Sequence, residues 1–143
     1  MPYKFLEDTS MADVAFEAQG KTLDELFKEA ALAVTNTMVE DVRTIEQKIS
    51  KSIELTAANV EMLLFHFLQE LIFYKDAELL LFNKFDIALE EREQAWHLRG
   101  KAYGEKISPD RHELLADVKA VSLYKYRVEK AAQGWRATVI VDV

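Results

Sequence analysis

The chain has 143 residues, half of them hydrophobic and 30% charged, with four glycines, two prolines and no cysteine. That composition predicts one globular domain over residues 1–143 and excludes disulfides and thiolate metal sites. A net charge of −7 argues against a phosphate-gripping surface, so no stable nucleic-acid binding is expected. It suits cations or a basic protein partner.

The start, MPYKFLED, lacks a basic, apolar and cleavage-site pattern, and no apolar run approaches bilayer length, which predicts a soluble cytoplasmic protein without membrane contact. Residues 1–20 look extended, with Val14, Phe16 and Ala18 alternating against Ala15 and Glu17 and Gly20 closing the segment. Thr22 and Glu25 then form a capping box, and Leu23, Leu26, Phe27, Ala30, Ala31, Val34 and Met38 share one helical face, so a helix is expected from about Leu23 to Val39.

Residues 45–55 alternate and predict a strand. Asn59 is a candidate N-cap for a second helix reaching about Lys75, apolar almost all round and so covered on more than one side. "LLLFNKFDIALEE" and "AWHLRGKAYG" predict strands joined near Glu91–Gln94. "KISPDRHELLA" predicts a loop, and "DVKAVSLYKYRVEK" and "GWRATVIVDV" a hairpin about "AAQG". The result is a compact α+β fold, with about seven to eight largely antiparallel strands packed against two helices.

No glycine-rich phosphate loop, nucleophile elbow or HExxH motif is present, so the protein is not expected to be an enzyme. His66 and His97 are expected as core or boundary residues. His112, in "SPDRHEL", is the histidine in a functional-looking context, although a loop residue of this kind equally braces backbone. Asp13 opens a strand and Asp142 closes the last one, on the face opposite Val139, Val141 and Val143, with the Val143 carboxylate directly after it. If those strands are neighbours, these carboxylates converge and repel unless a cation intervenes, and hard oxygens favour Ca²⁺ or Mg²⁺. Acids at strand ends also serve as edge protection and turn formers, so spacing alone leaves both readings open.

"YKFLEDTSMADVAFEAQGKTLDELFKEAALAVTNTM" and "GEKISPDRHELLADVKAVSLYKYRVEK…GWRATVIVDV" together resemble the archease family across nearly the whole chain. The resemblance implies an accessory protein for the GTP- and metal-dependent RNA ligase that joins tRNA exons, promoting its guanylylation and multiple turnover. The alternative role it implies is a chaperone or binding module for another tRNA-processing or tRNA-modifying enzyme, with a purely structural ion. It implies a metal site, usually calcium, at Asp13, Asp142 and Val143. The family's His-Thr-Ala-Asp is here Asp8-Thr9-Ser10-Met11-Ala12-Asp13, without the His and with two residues added. Asp8 is thus either an extra carboxylate or a turn cap. Lys119 of "DVKAV" matches a functional-looking family position. It is expected on the polar face of its strand, reaching the acid site or a partner's anion, or else standing as a solvated cross-strand charge.

Overall fold

The structure, a computed structural model, describes residues 2–6 and 13–143; Asp8 lies outside them. Among the described residues are β1 (Tyr3–Leu6), β2 (Asp13–Gly20), α1 (Leu23–Met38), β3 (Ile49–Ala57), α2 (Val60–Glu78), β4 (Leu80–Arg92), β5 (Ala95–Lys106), β6 (Ala120–Ala131) and β7 (Gly134–Asp142). Seven strands among the described residues, within the seven to eight expected, form two antiparallel sheets, ordered β1-β2-β7-β6 and β3-β5-β4.

Both helices touch both sheets: α1 lies against β2, β7 and β4, and α2 against β6, β3, β4 and β5. This position between layers buries most of α1 and leaves Glu25, Lys28, Glu29, Leu32 and Asn36 as its outward stripe. Leu26, Phe27, Ala30, Ala31 and Ala33 are all fully buried, the small alanines letting the sheets come close. Phe27 stacks on Phe67 of α2 with ring centroids 5.9 Å apart, and Phe67 meets Phe85 of β4 edge-on. The core is therefore continuous from one sheet through the helices to the other.

The caps fall where the sequence places them. Thr22 Oγ1 accepts from the Glu25 N–H (3.2 Å), the Glu25 carboxylate accepts from the Lys21 N–H (2.7 Å), and Asn59 Oδ1 accepts from the Met62 N–H (2.9 Å). Four details differ from expectation. Ile45 is buried but precedes β3, because a short 3₁₀ turn at Val42–Thr44, capped by Asp41, occupies the chain there. The second helix runs one turn past Lys75 and ends at Leu79, whose φ of 58° breaks it in the left-handed region. The penultimate strand begins at Ala120, so Asp117 and Lys119 belong to the preceding loop. His66 is exposed on α2, while His97 is half-buried on β5 with Nδ1 3.1 Å from Thr56 Oγ1.

Candidate functional site

Alternation decides which side each residue of the β2–β7 pair faces. Phe16 and Ala18 on β2 and Ala137, Val139 and Val141 on β7 are buried against the helices. Their neighbours Glu17, Thr138 and Arg136 point to the outer face. That face is ion-paired over most of its length: Lys4 meets Glu17 at 3.4 Å, Glu17 meets Arg136 at 3.4 Å, and Arg136 meets Glu129 at 2.7 Å.

At its other end the pattern changes. The register sets Asp13 directly opposite Asp142, followed by Ala15 opposite Ile140. Opposed residues project to the same face with Cβ atoms about 5 Å apart. Two half-buried acids are thereby held side by side by the ladder itself. Val143 comes next, its side chain packed inward on the core, and its main-chain oxygens follow directly after Asp142 in the chain. The β6 side is closed by the Lys119 N–H, which donates to the Asp142 carbonyl at 2.8 Å, with Ala120 in register against Asp142. Lys119 itself is exposed.

Among the described residues, no three His, Cys, Asp or Glu side chains gather to hold a metal. The fit to a divalent cation thus rests on two paired carboxylates plus main-chain oxygen. That is hard-donor chemistry, suited to Ca²⁺ or Mg²⁺ and unsuited to softer metals.

His112 is placed elsewhere. It is 1% exposed, and the Ser108 N–H donates to its Nδ1 (2.9 Å), so the ring proton sits on Nε2 and is donated to Glu105 (3.0 Å). Glu105 also accepts from the Glu46 N–H (2.7 Å) and from Arg111. Burial pushes the Glu105 carboxyl up, but these bonds and the Arg111 charge prevail and hold it at about 2. The histidine braces the 107–112 loop to β5.

A second buried charge escaped the sequence reading. Lys75, in the last turn of α2, is 4% exposed, and its ammonium donates to Asp117 Oδ1 (2.5 Å) and the Val118 carbonyl (2.7 Å) and lies 2.6 Å from Asp76. Burial lowers its pKa, but the bonds to Asp117 and Asp76 more than offset this and leave it raised. Its position was legible: Lys75 continues the stripe of Leu64, Leu68 and Leu71, where a core residue belongs.

The Archease protein family (MTH1598/TM1083) matches residues 3–143. The chain belongs to the archease family. The archease of Pyrococcus furiosus is 38% identical over 133 residues, covering 92% of this chain and 93% of that protein, and the archease of Methanosarcina mazei is 34% identical over 142 residues, covering 99% and 95%. Among solved structures, the solution structure of Methanobacterium thermoautotrophicum protein 1598 shares 34% identity, covers 99% of both chains and superposes with a TM-score of 0.85. A crystal structure from Thermotoga maritima, described as an archease and possible chaperone, has a TM-score of 0.59 over 96% of each chain. At 14% identity its likeness concerns the archease fold alone. Among the described residues, no helix of this archease is long and apolar enough to cross a membrane.

Proposed function

We propose that this chain is a cytoplasmic accessory protein, not itself an enzyme, that activates the GTP- and metal-dependent tRNA-splicing RNA ligase by promoting its guanylylation and multiple turnover. Membership of the archease family supports this reading, and the observation that carries it is the register that sets Asp13 opposite Asp142. Two like charges directly opposed on one face repel, and a cation held between them would offset that repulsion. Asp13, Asp142 and a main-chain oxygen of Val143 would hold a divalent cation, Ca²⁺ or Mg²⁺. When bound, the ion supplies a positive centre that neutralises the pair and can share oxygens from a partner.

The remaining parts are the chain's own. The Lys119 N–H fixes the carbonyl of Asp142, and its exposed side chain offers a cation for an acid or phosphate on the ligase. The patch shifts the ligase toward its guanylylation-competent state only by contacting that state better than the other.

The test is multiple-turnover ligation by the ligase with and without this protein. The parent is expected to stimulate turnover, and Asp13→Ala and Asp142→Ala to lose that stimulation while remaining folded. Variants that stimulate like the parent would falsify the acid-patch mechanism. If removing the ion lowers thermal stability yet leaves ligase turnover untouched, the ion is structural, and the chain is instead a chaperone or binding module for another tRNA-processing enzyme.

A further inference from the structure

We infer that Lys75 is a positioning residue for the acid pair, acting through the main chain of residues 117–119; the inference rests on the metal reading above. An ammonium has three N–H donors, and those of Lys75 are spent on Asp117, Asp76 and the Val118 carbonyl. It has no donor left for a ligand, and its raised pKa keeps it protonated and non-nucleophilic.

What it holds is the approach to β6. Val118, pinned through its carbonyl and fully buried, directly precedes Lys119, whose N–H donates to the Asp142 carbonyl. One turn and a half earlier on α2, Gln69 Oε1 accepts from the Val121 N–H at 2.7 Å. The helix therefore grips the chain on both sides of Lys119 and Ala120, the last loop residue and the first residue of β6, which both face Asp142. Asp142 in turn faces Asp13.

Stability alone does not account for this lysine. Lys75 is buried while both acids paired with it are exposed. A hydrophobic residue of similar volume often matches a buried charge, and Leu64, Leu68 and Leu71 show what such a stripe accepts. Methionine would fill the space but would leave the Val118 carbonyl without its donor. The ammonium fixes where the edge of β6 meets the end of β7, and so where the carboxylate of Asp142 stands relative to Asp13.

The experiment compares Lys75→Met and Asp117→Asn with the parent by two measurements: calorimetric titration with CaCl₂, and amide hydrogen exchange at Lys119 against amides of the β4–β5 hairpin. Asp117→Asn removes only one negative charge beside the ammonium, at an exposed residue, so it serves if Lys75→Met does not fold. Loss of a group that orients a metal ligand typically weakens affinity by tenfold or more, so calcium affinity should fall by about tenfold in Lys75→Met and less in Asp117→Asn. Exchange at Lys119 should speed up while the hairpin amides hold their rates. Unchanged exchange at Lys119, or equal acceleration at Lys119 and the hairpin, overturns the positioning role. So does unchanged calcium affinity in a parent that binds the ion. A parent that binds no calcium sinks the metal reading instead, and the exchange rates then decide the positioning role alone.

Discussion

Glu105 is as buried as the leucines around it, yet it is ionised, because one backbone N–H, one imidazole N–H and one guanidinium converge on it. Its pKa is about 2 in the fold against 4.5 for an ordinary glutamate carboxyl. The depressed value means the unfolded chain binds the extra proton first, so stability rises with pH across that window. The contribution is complete above about pH 4.5 and disappears as pH falls through about 2. Glu105→Gln should flatten the dependence of the urea midpoint on pH between those limits. Glu105→Ala, which leaves the His112 Nε2–H and the Glu46 N–H without their acceptor, should cost about 2 kcal/mol at neutral pH. The acid pair makes the opposite kind of prediction. Asp142→Asn removes a like-charge opposition, so with a chelator present its melting temperature should exceed the parent's, whereas in millimolar Ca²⁺ the order should reverse. The same order in both conditions would argue against an ion between these strands.

At the scale of elements, the β4–β5 hairpin turns on Glu93 (φ 53°) and Gln94 (φ 62°), both in the left-handed region with no glycine between them. Each such residue carries about 1 kcal/mol of strain, and Asn-Gly is the pair that this type of turn prefers. Replacing Glu93-Gln94 by Asn-Gly should therefore stabilise the protein by about 1 kcal/mol in urea denaturation. Removing the Asn59 cap (Asn59→Ala) should cost about the same. These elements also show what could be read from sequence. Helix starts were legible because a capping side chain lies within four residues of the N–H it serves, as do Thr22 and Asn59. The end of α2 was harder, since Leu79 carries no glycine or asparagine to mark its left-handed turn. The Asp117–Lys119 segment alternates like a strand, but Lys75 draws it into a loop, and that lysine is far away in sequence. For the candidate site, alternation placed Asp142 on the outer face. The partner strand and the register opposite Asp13 depend on pairing that no local pattern encodes.

For the molecule as a whole, both helices pack against both sheets, and any ion at the β2–β7 end adds its binding energy to the stability of the entire fold. Ca²⁺ at a hundredfold excess over its dissociation constant should add about 2.7 kcal/mol, visible as a higher melting temperature that Asp13→Ala does not show. The surface charge of −7 should also make association with a basic partner face weaken as salt rises.

The pairing of β2 with β7 carries one more implication. Asp13 emerges early in synthesis and Asp142 late, and neither strand can form this pair until the other exists. A nascent chain, a truncated one or one with its last strand misplaced has the first acid but no facing one. A partner that recognised an ion held by both acids would therefore bind only copies in which β2 and β7 have paired.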